Sequence, residues 1–295
     1  MRYNVFVFKI TFFSMEVFIM GEECTYDCSN CGVDCPSRTS EQTSFLKAPH
    51  EGTNVKKIIA VVSGKGGVGK SLVTSLMAIE MKRRGKSVAI MDADITGPSI
   101  PNSFGLRDRA MATEDALLPT LTQSGIEVMS MNLLLEEATS PVVWRGPIIG
   151  GVVEQFWTDV LWGDVDYMFV DMPPGTGDVP LTVFQSLPVD GIIVVTSPQE
   201  MVGVIVEKAV NMAELMDKPV LGIVENMAYF ECPDCGKKHY IYGKSHVKET
   251  AELHGIPVTV SLPIDPELTR LVDRGEIEAY DKCLLTELAD SLETL

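Results

Sequence analysis

The chain has 295 residues, with 41 acidic against 24 basic side chains, a formal net charge of −17 and 45% hydrophobic residues. That length and apolar content suit one large α/β domain with a short appendage and exclude a disordered chain. The acidic balance argues against DNA or RNA as the main partner, because phosphate backbones demand a cationic surface, and against docking on an anionic membrane.

The first twenty residues, MRYNVFVFKITFFSMEVFIM, carry only Arg2, Lys9 and Glu16 as charges. No small-residue cleavage site follows, which argues against a secretory signal, and the run is too short and interrupted for a comfortable membrane span. We read residues 1–19 as an extension without a folded role, ahead of a natural start at Met20. Residues 20–55 are a cysteine-rich segment followed by a polar, Ser/Thr-rich linker, and residues 56–295 are the main domain. Seven cysteines, an odd count with six of them tightly clustered, do not read as a disulfide framework. Such spacing points to metal or redox chemistry in a reducing, cytoplasmic setting. Cys24, Cys28, Cys31 and Cys35 supply four thiolates, enough to enclose one metal centre. The Cys-x2-Cys-x3-Cys-Pro run resembles part of a bacterial ferredoxin pattern, which favours a 4Fe–4S cluster over zinc.

From Lys56 onward, short apolar runs alternate with longer amphipathic ones. The pattern predicts strands at 58–62, 87–91, 126–131, 166–170, 191–196, 220–224 and 257–260. Helices are predicted from the glycine-rich loop to about Arg84, then at 147–160, 178–186, 201–216, 244–254 and 283–293. Alternating strands and helices imply a three-layer α/β fold, a mostly parallel sheet flanked by helices. The runs IIAVV, YMFVD and GIIVV are continuously apolar, as strands covered on both faces should be.

The first strand ends in Gly64-Lys65-Gly66-Gly67-Val68-Gly69-Lys70-Ser71, which fits the phosphate-loop pattern G-x-x-x-x-G-K-[ST]. Glycines let backbone N–H groups converge on phosphate oxygens, and the following helix points its positive end at them. Lys70 reaches the β- and γ-phosphates of ATP, and the Ser71 hydroxyl suits Mg2+. The early lysine makes the loop resemble the deviant form of the dimeric ATPases that include partitioning and division-site proteins, the nitrogenase iron protein and the Mrp family. That resemblance implies that Lys65 reaches across a dimer interface to the partner's nucleotide. Asp171 closes the run Tyr167–Val170 at a strand's carboxyl end, where it would hold magnesium through water. Asp92-Ala93-Asp94 ends the second strand, and the resemblance places at Asp94 a switch aspartate that orients the attacking water. The catalytic set is thus Lys65, Lys70 and Asp94, and the magnesium set is Ser71, Asp94 and Asp171. Asp171–Asp178 reads as a switch loop whose prolines and glycines fix an irregular backbone. The resemblance also sets Asn226 and the segment Pro263–Asp265 near the nucleotide base.

Cys232-Pro233-Asp234-Cys235-Gly236 follows a predicted strand. One pair supplies two thiolates where tetrahedral metals and iron–sulfur clusters usually take four, so a two-fold homodimer sharing one centre satisfies the count. Structural zinc with His239 as a third ligand, a redox pair and inert thiols are the competing readings. Cys283, in the terminal helical pattern, reads as structural.

Together with Asp94–Ser99, Trp144–Pro147, Thr196–Gln199 and Val224–Met227, these motifs make residues 56–280 resemble the Mrp/ApbC/Nbp-type family. The resemblance implies an ATP-binding homodimer that carries a labile 4Fe–4S cluster to apoproteins and hydrolyses ATP slowly. The rival readings are a partitioning-type positioning ATPase and a zinc-stapled nucleotide-binding scaffold. The acidic C-terminal run Thr286–Leu295, without a basic residue, counts against the first.

Overall fold

The computed structural model describes residues 45–295 apart from 96, 136–145, 176, 199–201 and 244. The extension at 1–19, the four clustered cysteines Cys24, Cys28, Cys31 and Cys35, Trp144 and Gln199 lie outside the described residues.

The elements in chain order are β1 (Asn54–Val62), α1 (Lys70–Arg83), β2 (Val88–Asp92), α2 (Ile100–Ser103), β3 (Met111–Ala112), β4 (Leu117–Leu118), β5 (Thr120–Leu121), β6 (Glu127–Met129), α3 (Gly146–Thr158), β7 (Asp164–Asp171), α4 (Asp178–Ser186), β8 (Gly191–Thr196), α5 (Val202–Leu215), β9 (Val220–Glu231), β10 (Lys238–His239), α6 (Val247–Leu253), β11 (Thr259–Pro263), α7 (Pro266–Arg274) and α8 (Thr286–Glu293). Among the described residues, nine strands form one sheet in the order β10-β9-β8-β1-β7-β2-β6-β5, with β11 also paired to β9. The interior pairs are parallel, and only β5 and β10 run antiparallel to their neighbours. Parallel neighbours bring the carboxyl ends of β1, β2, β7 and β8 to one edge of the molecule, where ligands of such sheets collect.

Successive residues of a strand face opposite ways, and β1 shows what that does here. Ile59 and Val61 enter a core with Met77 of α1 and Leu288 of α8. Ile58, Ala60 and Val62 enter a second core with Val153 and Phe156 of α3 and Val206 of α5. Both faces of the sheet are therefore sealed by helices, which is the predicted three-layer arrangement.

Several boundaries differ from the sequence reading. β9 continues from 220 through Glu231 because the polar pair Glu225 and Asn226 is buried rather than looped out. The predicted strand 126–131 shortens to β6. α7 was not anticipated, although its capping signals are written in the sequence. Asp265 Oδ1 accepts from the backbone N–H of Glu267 at 2.9 Å, Pro266 opens the first turn, and Gly275 closes the helix at φ 74°. These are the standard start and stop residues of a helix. Cys283 precedes α8 instead of lying in it, and is exposed. Residues 45–53, part of the stretch read as linker, are tied to the body. Lys47 N–H donates to Ser186 O at 2.9 Å, and Lys47 O accepts from Trp157 Nε1 at 2.9 Å. Among the described residues, no helix is long and apolar enough to cross a membrane.

Candidate functional site

The carboxyl end of β7 sits in register with β1 and β2, so that Asp171 lies beside Val61 on one side and Asp92 on the other. This alignment delivers three separate sequence motifs to one place. Asp171 is fully buried. Its Oδ1 accepts from Lys70 Nζ at 2.7 Å and from Thr74 Oγ1 at 2.8 Å, and its Oδ2 accepts from Ser71 Oγ at 2.5 Å. Lys70 is itself only 6% exposed, so the pair is held away from water. Burying two opposite charges is tolerable only when further hydrogen bonds satisfy them, and the Ser71 and Thr74 hydroxyls do so here. Thr74 was missed in the sequence, though it lies one helical turn beyond Lys70 on the same face of α1.

Asp92 is buried beside Asp171. Its Oδ2 accepts from Ser130 Oγ at 2.9 Å and its Oδ1 from the Asp94 N–H at 3.2 Å. Burial first, and then the neighbouring Asp171 charge, push its carboxyl up to about 8, and Lys70 offsets this only in part. Burial beside a second carboxylate thus biases Asp92 toward its protonated form, while Asp171 takes the lysine. Ser130, at the carboxyl side of β6, was also missed, because only the strand order β7-β2-β6 brings it to Asp92.

The phosphate loop turns through left-handed backbone at Gly67 (φ 80°) and Gly69 (φ 85°), the latter capping α1. At Gly69 a side chain is excluded on two grounds. The backbone favours glycine, and an added Cβ would lie 2.2 Å from Asn226 Nδ2. Asn226, expected near the base, has both ends of its amide engaged in the loop and its own strand. Nδ2 donates to Val68 O at 3.0 Å, and Oδ1 accepts from the Met227 N–H at 2.9 Å. The switch segment is strapped across the loop's foot, with Met172 N–H donating to Val61 O at 3.2 Å and Gly175 N–H to Ser63 O at 2.8 Å. Lys65 and Gly64 are half-buried beside it. The loop opens on a cavity of about 340 Å3 lined by Ser63, Gly66, Lys70, Ser71, Asp94 and Pro174, with Val272 of α7 on its wall. The cavity holds the Ser71 hydroxyl and the Asp94 carboxylate, with Asp171 behind Ser71. A hydroxyl and two carboxylates are hard oxygen donors, a set that suits magnesium and not a thiolate-seeking metal.

The cysteine pair stands apart from this cavity, in the hairpin joining β9 and β10. Gly236 N–H donates to Cys232 O at 2.8 Å with Gly236 at φ 68°, and Cys232 N–H donates to Lys237 O at 3.0 Å. Cys232 is half-buried and Cys235 exposed, and neither is in a disulfide. The backbone N–H groups of Asp234 and Cys235, and then the Cys235 thiol, lower the Cys232 thiol pKa, which favours the thiolate that metals require. His239 lies exposed on β10. Among the described residues, no three His, Cys, Asp or Glu side chains are grouped to hold a metal ion, so His239 does not complete a site with the pair.

A family model for the NUBPL iron-transfer P-loop NTPase of the ParA group matches residues 54–293. An iron-sulfur cluster carrier protein of Clostridium perfringens is 46% identical over 235 residues, covering 77% of this chain and 82% of the relative. Another of the same name from Methanocaldococcus jannaschii is 39% identical over 262 residues, covering 86% and 89%. The nucleotide-binding protein of Archaeoglobus fulgidus, solved in complex with ADP, superposes with a TM-score of 0.72 at 45% identity, over 78% of this chain and 91% of its own.

Proposed function

This chain belongs to the NUBPL iron-transfer P-loop NTPase family, and from that premise we propose that it is an ATP-dependent iron–sulfur cluster carrier. The observation that carries the reading is the pairing, in one chain, of a phosphate loop with a second lysine and an exposed Cys-x-x-Cys hairpin. The first handles a nucleoside triphosphate, and the second offers two of the four thiolates that a 4Fe–4S cargo takes. Two copies related by a two-fold axis supply four, so the working form is a homodimer with the cluster shared between Cys232 and Cys235 of each subunit. The relatives' name supports the same cargo.

At the nucleotide, Lys70 turns from Asp171 to the β- and γ-phosphates. Ser71, Asp94 and Asp171 would hold magnesium, which when bound would neutralise phosphate charge. Asp94 orients a water toward the γ-phosphorus; the bond to the bridging oxygen breaks, and ADP and phosphate leave. Lys65 from the partner stabilises charge on the transferring group. Hydrolysis is slow and serves delivery to apoproteins in the cytoplasm. Cys24, Cys28, Cys31 and Cys35 hold a second centre, a cluster in preference to zinc.

The partitioning-type alternative needs a free basic or membrane-seeking C-terminal helix. Here α8 buries Leu288, Ala289 and Leu292 against the body, and its acids Asp290 and Glu293 engage Arg84 at 2.6 and 2.9 Å. Anaerobic reconstitution with iron and sulfide tests the carrier reading. The expected result is about four iron atoms per dimer at the hairpin, counted in protein truncated before Phe45, with transfer to an apo-ferredoxin. Cys232→Ala should abolish that transfer and leave ATP binding intact. Normal delivery by this variant, or tightly fixed zinc as the only metal in wild-type protein, would overturn the assignment.

A further inference from the structure

β9 runs unbroken from the nucleotide site to the cysteine hairpin, and it carries a backbone irregularity between them. Met227 has φ 59°, a left-handed conformation that is uncommon for any residue but glycine, asparagine or aspartate. The register against β11 shifts at the same place. Glu225 pairs with Ser261, yet Tyr229 pairs with Pro263, so β9 spends two more residues than its neighbour. Strained backbone of this kind persists only where the surroundings enforce it. The adjacent Asn226 side chain bonds into it, accepting from Met227 N–H with Oδ1 and donating to Val68 O with Nδ2.

The second contact has a consequence for the phosphate loop. In a trans peptide the carbonyl of one residue and the N–H of the next point in opposite directions. By holding the Val68 carbonyl, Asn226 turns the Gly69 N–H away from β9. Any rotation of that peptide when phosphate binds must break or drag the Asn226 contact. The other end of the same amide is fixed to the bulge, and Cys232 lies six residues from Asn226, about 20 Å at the usual strand rise.

We propose that Asn226 is a positioning residue that links the phosphate loop to the Met227 bulge, so that nucleotide at the loop resets the Cys232–Cys235 hairpin through β9. The proposal rests on the carrier reading for its purpose, but its test does not need a cluster. Iodoacetamide labelling of metal-free, reduced full-length chain, resolved by mass spectrometry at Cys232 and Cys235, reads the hairpin, with Cys283 as an internal control. Saturation with Mg-ATP analogue, verified by a separate binding titration for each variant, should change the labelling rate of the pair in wild type by about fivefold or more, the lower end of ordinary coupling between sites. Asn226→Asp still accepts from Met227 but cannot donate to Val68, and its ratio should fall to near one at saturating nucleotide. Met227→Gly adopts the same backbone without strain and should keep the wild-type ratio. Met227→Val, β-branched and therefore expelled from left-handed backbone, should lose it. A wild-type ratio near one, or a full ratio in Asn226→Asp, overturns the link. Neither result touches the carrier reading, which stands or falls on iron delivery by Cys232→Ala.

Discussion

Replacing Gly69 by alanine tests the packing of the phosphate loop against β9 most directly. Two separable costs follow from the geometry. At φ 85° an alanine is held in left-handed backbone, a cost of about 1–2 kcal/mol. Its Cβ would also lie 2.2 Å from Asn226 Nδ2, well inside contact distance, so the amide must leave. Asn226 is only 6% exposed, and a buried polar group stripped of its partner costs about 1–3 kcal/mol. The sum is about 2–5 kcal/mol, out of the roughly 5–15 kcal/mol that stabilises a typical domain. Urea denaturation in nucleotide-free buffer measures it, and the partition is exposed by a cycle with Asn226→Ala. In that background the clash is gone, so Gly69→Ala should cost only the backbone part. The cycle should therefore show a coupling of about 1–3 kcal/mol, in the range of residues in contact. Strict additivity would refute the claim that the Asn226 amide, and not backbone conformation alone, reserves position 69 for glycine.

Three other outcomes follow from the same site. Asp171→Asn leaves the Lys70 ammonium buried without its counter-charge, and urea denaturation should show a loss of about 3–5 kcal/mol, the usual result of breaking a buried ion pair from one side. The Asp92 carboxyl is raised from 3.8 to about 8 in the folded chain, so over that interval the unfolded chain binds fewer protons and stability declines as pH rises. The decline should level off only above about pH 8, and Asp92→Asn should flatten it in denaturation curves taken between pH 5 and pH 8. Lys65→Ala should retain ATP in equilibrium dialysis and lose hydrolysis in a phosphate-release assay. A variant that hydrolyses normally would remove Lys65 from the catalytic set.

Much of the fold and of the nucleotide site was legible because it is local. Gly64–Ser71 announces both the loop and the helix it caps, and continuous runs such as Ile58–Val62 announce strands sealed on both faces. What escaped depends on strand order. Ser130 meets Asp92 only because β6 lies beside β2, and Asn226 meets Val68 only because the middle of β9 passes the phosphate loop. The left-handed Met227 has no local signal at all, since methionine is not a residue that seeks positive φ. α7 is a different case: Asp265, Pro266 and Gly275 mark its ends plainly and Leu268, Leu271 and Val272 keep helical spacing, but a helix of nine residues repeats that period too few times to stand out.

α1 is moored at both ends. Thr74, one turn into the helix, is bound to Asp171, a tie that remains when Lys70 turns to phosphate, and just past its last turn Arg84 gathers Glu80 from its own helix with Asp290 and Glu293 from α8. A rod fastened this way cannot slide along the sheet when its leading end is pulled. Displacement that begins at the triphosphate is thereby denied an exit through the helix layer, and is left to the switch residues after β7 and to β9, with its kink at Met227.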